Sequence, residues 1–95
     1  MLTEQLWVIA YDTPCNKRRR KFAKLLEGYG VRVQWSVFEC RLRKAEILTL
    51  KQRLSKLLKT DQDSVRFWPI PELSCSKIEH MGLPVASCSW EDQVI

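Results

Sequence analysis

The chain has 95 residues, 16 of them Lys or Arg against 11 Asp or Glu, and a formal net charge of +5; that length suits one domain and excludes two. The charge is uneven, because 14 of the basic residues but only five of the acidic ones precede Asp61, so the body is built to meet a polyanion, with a merely solvated face as the bland alternative. Four cysteines (Cys15, Cys40, Cys75 and Cys88) form no CxxC pair, which excludes a zinc cage or disulfide framework and fits a reducing cytoplasm.

Met1 to Gln5 lacks the positive region of a signal peptide, and the apolar run Leu6–Tyr11 is too short to cross a membrane, so a cytoplasmic location without membrane contact is expected. The same run, Leu-Trp-Val-Ile-Ala-Tyr, stops at Asp12-Thr13-Pro14. It reads as a central strand buried on both faces. From Asn16 to Tyr29, Phe22, Ala23, Leu25, Leu26 and Tyr29 recur at helical spacing, and Gly28 and Gly30 mark the stop. In the following stretch, Val31, Val33, Trp35 and Val37 alternate with polar residues before the apolar phase moves to Phe38, Cys40 and Leu42. Such a shift would turn later side chains to the wrong face, so a bulge or strand break is expected near Ser36–Phe38.

Arg43–Lys59 reads as a second helix, with Ile47, Leu50, Leu54, Leu57 and Leu58 on one stripe and the lysines off it. Asp61–Ser64 is a loop, Val65–Trp68 a strand closed by Pro69 and Pro71, and Ser76–Met81 one more short strand. The order strand, helix, strand, strand, helix, strand predicts an α+β fold of ferredoxin-like βαββαβ type, an antiparallel sheet with two helices on one face. The domain spans 1–82, leaving 83–95 as a tail that is either disordered or partner-binding.

Asp12 stands where the first strand ends. A carboxylate there can serve a hard divalent cation, which prefers oxygen ligands; by position alone the turn-making or helix-start role is the more common job for an Asp before Thr-Pro. One carboxylate is thin equipment for metal-assisted hydrolysis, but a two-fold axis beside this strand end would supply a second. Lys17, Arg18, Arg19, Arg20 and Lys21 open the first helix, where cations oppose the macrodipole. Phosphate binding accounts for them better than local stability does. Arg32, Gln34 and Ser36 share a face with Phe38 at the bend, a set suited to a nucleic-acid backbone or base, although Trp35, Phe38, Phe67 and Trp68 are more often core or dimer-interface residues than stacking platforms. Cys75 and His80 lack two further metal ligands nearby, so His80 reads as structural.

The segments VIAYDTPCNKRRRKFAKLLEGYG and VRVQWSVFECRL, continued through DSVRFWPI and more loosely KIEHMG, resemble the CRISPR-associated Cas2 family, the non-integrase subunit of the spacer-acquisition complex. The resemblance covers nearly everything before Leu83. It implies a ferredoxin-like homodimer in which a C-terminal strand of each chain joins the partner's sheet, bound to Cas1 integrase and acting as a basic bridge under duplex DNA. It also implies a Mg²⁺- or Mn²⁺-dependent endonuclease acting on single-stranded RNA or double-stranded DNA, with Asp12 of each chain as the catalytic metal ligand. Tyr11, Arg19, Arg32, Ser36 and Phe38 match positions implicated in activity or substrate contact, and Lys21 falls where some relatives carry a second arginine. Thr13-Pro14-Cys15-Asn16 replaces a more acidic loop, leaving no extra carboxylate beside Asp12. The competing reading is a non-catalytic RNA-binding module of the same fold, which uses exposed aromatics on its sheet.

Overall fold

The computed structural model describes residues 3–83. The elements are β1 (Gln5–Asp12), α1 (Asn16–Glu27), β2 (Val31–Gln34), β3 (Val37–Leu42), α2 (Lys44–Leu57), β4 (Ser64–Ile70) and a single turn, α3 (Glu72–Cys75). One antiparallel sheet has the order β2-β3-β1-β4, which interleaves two split βαβ units in the ferredoxin-like manner.

The helices cover one face. α1 buries Phe22, Ala23 and Leu26, and α2 buries Ile47, Leu50 and Leu54. They close over Ile9 and Tyr11 of β1 and Phe38, Cys40 and Leu42 of β3. Trp7 meets Phe67 edge-on at 6.4 Å, and Tyr11 tilts against Phe22 at 5.4 Å. Glu46 starts α2 by accepting the Arg43 N–H at 2.7 Å, half of a capping box. The cations of α2 are not all simply solvated: Lys51 lies over Trp7 and Phe67, and Arg53 over Tyr29, within cation–π range.

Three expectations need correction. β1 is central, but α1 and α2 cover only its Trp7, Ile9 and Tyr11 side; the register puts Leu6, Val8, Ala10 and Asp12 on the opposite face with Trp68, Arg66, Glu39 and Val37, where Leu6 is buried but Val8 and Ala10 are only half-buried and Asp12 is exposed. An apolar run signals burial without saying what covers each face. The fourth strand runs through Pro69 to Ile70, because β4 is an edge strand and a proline there need not donate to a neighbour. The first helix does stop at Gly28, as the glycines predict, with Gly28 at φ −75°; Gly30 is needed for space, since a Cβ there would run into Cys40 and the Glu39 carbonyl of β3. Finally, Ser76–Met81 forms no strand in the single chain, and Ile78 and Met81 are exposed. The tail expected at 83–95 lies, beyond Leu83, outside the described residues.

Candidate nucleic-acid and metal site

The site is built at the corner where β1 ends and α1 begins. Pro14 and a short loop turn the chain, and the work of holding that turn falls to Thr13. Its hydroxyl accepts the Cys15 N–H at 3.2 Å and donates to Asp63 Oδ1 at 2.5 Å. Asp63 also receives Arg18 Nε at 2.7 Å and Nη2 at 3.1 Å, and the Lys59 N–H at 2.9 Å. Its side chain is fully buried. The Arg18 guanidinium, helped by Thr13 and the Lys59 amide, holds the Asp63 carboxyl well below the ordinary carboxylate range. This knot ties the β1–α1 loop to the α2–β4 loop. Asp63 had no signal in the sequence, standing among polar loop residues some 45 positions from its partner Arg18.

Asp12 is thereby left out of turn-making. It is exposed, opposite Ser64 at the end of β1, on the sheet face the helices do not cover. Among the described residues, no three His, Cys, Asp or Glu side chains come together, so one chain offers an ion a single carboxylate. That donor fits Mg²⁺, which keeps several waters and accepts one or two protein carboxylates; Cys75 and His80, not expected to bind a metal, gain no third ligand among the described residues.

The basic run divides by role. Lys17, Arg20 and Lys21 are exposed at the start of α1, with no acidic residue in its first turn. Arg18, expected to meet phosphate, instead spends its guanidinium on Asp63 and Gln62. Its position on the helix turns it toward the α2–β4 loop, and the buried carboxylate there demands a counter-charge. Arg19 donates to the Thr13 carbonyl at 2.7 Å and to Asn16 Oδ1, bracing the loop while keeping other N–H donors.

A register shift lies between Arg32 and Gln34. Arg32 therefore opposes Phe38 on the helix side of the sheet, whereas Gln34 opposes Val37 on the uncovered side. The strand break falls at Trp35-Ser36, next to the expected Ser36–Phe38, but the shared face of Arg32, Gln34 and Ser36 is corrected by this bulge. Phe38 is fully buried, so it is no direct substrate contact; its ring lies 5.4 Å from the Arg32 guanidinium and supports it. Tyr11 is buried too, and burial pushes its phenol up against the lowering effect of Arg32, which hydrogen-bonds it, and of Arg19. The Ser36 carbonyl accepts the Tyr11 N–H at 3.1 Å, pinning the β2–β3 turn to the end of β1. Trp35 in that turn remains 44% exposed.

Two thiols differ for local reasons. Backbone N–H groups of Arg18 and Lys17 lower the Cys15 thiol at the start of α1, while burial pushes Cys40 up to about 11. Cys15, Cys40 and Cys75 are free.

Residues 5–78 match the family model described as CRISPR associated protein Cas2. The chain is 48% identical over 79 residues to the CRISPR-associated endoribonuclease Cas2 3 of Synechocystis sp., covering 83% of this chain and 86% of that one. In structure it resembles Cas2 of Streptococcus pyogenes, with 35% identity, a TM-score of 0.74, and coverage of 81% of this chain and 99% of that one. It also resembles a chain of a partial Cas6-RT-Cas1–Cas2 complex, with 28% identity, a TM-score of 0.72, and coverage of 88% and 99%. No helix among the described residues is long and apolar enough to cross a membrane.

Proposed function

The chain belongs to the CRISPR-associated Cas2 family, and we propose that it serves CRISPR adaptation as a nucleic-acid-binding homodimer, partnered by Cas1, with a metal-dependent endonuclease centre at paired Asp12 residues. The observation that carries the reading is the release of Asp12 from the loop: Thr13, Asp63, Arg18 and Arg19 hold the corner, and the carboxylate is free on the uncovered sheet face.

That face supports pairing of two copies. Val8, Ala10 and Val37 are half-buried and Trp68 is 42% exposed, together forming an apolar patch beside Asp12. A second copy laid on it by a two-fold axis would remove apolar area from water that a domain this small can ill leave exposed. It would also bring a second Asp12 to the same cleft. The C-terminal strand expected from the resemblance would then complete the partner's sheet at an edge.

The chain's own residues divide the work. Exposed Lys17, Arg20 and Lys21 attract and orient the phosphate backbone, and Arg19 and Arg32 offer forked donors to phosphate oxygens on the helix side of the sheet. The two Asp12 carboxylates would hold Mg²⁺ or Mn²⁺. When bound, that ion supplies Lewis-acid polarisation of a phosphodiester. The endoribonuclease name of the Synechocystis relative makes single-stranded RNA the first substrate to try, with double-stranded DNA the second.

A second reading draws on Trp68, which stands beside the Arg66 guanidinium at 5.6 Å on the same face. A monomer could stack single-stranded RNA there without catalysis. The two readings compete for one surface, so oligomeric state separates them. The test is a cleavage assay on single-stranded RNA and duplex DNA, with Mg²⁺ and with chelator, comparing wild type and Asp12→Ala. Both proteins are checked as folded dimers by circular dichroism and sedimentation. The expected result is a dimer whose Mg²⁺-dependent cleavage falls at least about 100-fold in Asp12→Ala. Cleavage persisting in the variant, or a monomeric wild type, sinks the proposal.

A further inference from the structure

A cavity of about 370 Å³ opens between α1 and the β2–β3 turn, on the helix side of the sheet and therefore on the other face from Asp12. Its wall carries four cations, Arg19, Arg20, Lys24 and Arg32, against one carboxylate, Glu27. Trp35 closes one side. A packed domain of this size has no structural need for an exposed indole in a turn, and burying it in the core is not what the fold does: Trp35 keeps 44% of its surface open.

The features of this cavity are those of a site for one nucleotide. The volume lies at the small end of ligand pockets, about 300–1,000 Å³. Arg32 is braced by Phe38 and its guanidinium also lies over the edge of the Trp35 indole, 5.9 Å from the ring centroid, so cation and ring are held together at one wall of the cavity. A cation held against a half-exposed ring suits a ligand in which an anion and a flat aromatic are joined by a short link. A duplex does not present its bases that way, since they are stacked inside. An unpaired nucleotide does.

We propose that this cavity binds a single unpaired nucleotide of a nucleic-acid strand, its base stacked on Trp35 and its phosphate held by Arg19 and Arg32. Arg20 and Lys24 line the cavity and are exposed on α1, the helix that also carries Lys17 and Lys21. A strand following the phosphate-binding face of the helix would thus run past the mouth. The assignment rests on the nucleic-acid-binding reading above and gives it a substrate class: strands with unpaired ends or single-stranded segments, in preference to blunt duplex.

The test measures binding of three DNA ligands: a single-stranded oligonucleotide, the same strand with abasic sites, and a blunt duplex. Each is titrated against wild type, Trp35→Ala and Trp35→Phe at fixed salt. Wild type should bind the intact strand about 5- to 150-fold more tightly than the abasic one. Trp35→Ala should bind both at the weaker level, Trp35→Phe should keep most of the preference, and duplex affinity should be the same in all three proteins. Equal binding of intact and abasic strands by wild type overturns the proposal while leaving duplex binding intact. Loss of duplex affinity in Trp35→Ala in step with strand affinity overturns it as well, by making Trp35 structural. If wild type binds none of the three ligands, the nucleic-acid reading itself falls, and the inference falls with it.

Discussion

The two glycines that bracket the end of the first helix should respond to the same substitution with opposite signs. At Gly30, an added Cβ would lie 2.5 Å from Cys40 Sγ and 2.8 Å from Cys40 Cα, and closer still to the Glu39 carbonyl oxygen. Carbon atoms rest comfortably about 3.5–4.0 Å apart, so β2 would have to retreat from β3 by roughly 1 Å. Cys40 is fully buried and cannot yield in its place. A retreat of that size stretches ladder bonds near Val31–Glu39 and Arg32–Phe38 from about 2.9 Å to roughly 3.9 Å, outside hydrogen-bond range. Overpacking of about 1–3 kcal/mol plus about 1 kcal/mol for a lost ladder bond gives about 2–4 kcal/mol. At Gly28, by contrast, the nearest atom to an added Cβ is the Leu25 carbonyl oxygen at 3.4 Å, and the backbone is in the right-handed helical region. Alanine fits there and should stabilise by about 0.4–1 kcal/mol by narrowing the unfolded ensemble. Urea denaturation followed by circular dichroism, at one protein concentration, checks both. With a slope of about 1.5 kcal/mol/M, the Gly30→Ala midpoint should fall by roughly 1.3–2.7 M while that of Gly28→Ala rises slightly. A Gly30→Ala change within about 0.5 kcal/mol of wild type, or equal damage from both, would refute the close-approach explanation.

Two further outcomes follow from the division of labour at the corner. Lys21→Ala should reduce the slope of log affinity against log salt for duplex DNA by about 0.9, the loss of one phosphate contact; Arg18→Ala should leave that slope alone and lower the melting temperature instead, because it strands a buried carboxylate. Equal flattening by both variants would show that Arg18 reaches phosphate after all. The Asp63 carboxyl titrates below its ordinary value of 3.8 in the folded chain, so the folded state favours its ionised form. Its stabilising contribution is complete above that value and disappears as the pH falls through and below it. Urea midpoints measured from pH 6 down to pH 2 should therefore drop less steeply in Asp63→Asn than in wild type, although the variant starts lower. Parallel curves would contradict the linkage.

Element identity was legible because it rests on local periodicity. Phe22, Ala23 and Leu26 announce one helix and Ile47, Leu50 and Leu54 another, and the phase change between Trp35 and Phe38 correctly marked the break between β2 and β3. The motif spacing carried the family as well, since Tyr-Asp, the arginine helix and the Arg-x-Gln-x-Ser-Val-Phe-Glu stretch are sequential features.

What the sequence alone determined, then, is which segments fold into which elements and that the body is polycationic, because both depend on the nature and spacing of near neighbours. Only the tertiary structure decided which cations face outward. Arg18 and Arg20 are indistinguishable in the run, yet one is bound to Asp63 from a distant loop and the other is exposed. It likewise decided that a one-residue bulge puts Arg32 over Phe38 and sends Gln34 to the opposite face. Above all it decided the standing of Asp12, which position alone assigns to turn-making ahead of a metal. Thr13 takes the turn because Asp63, some 50 residues on, is there to receive its hydroxyl; contacts between residues so far apart arise from the fold and leave no periodic trace in the chain.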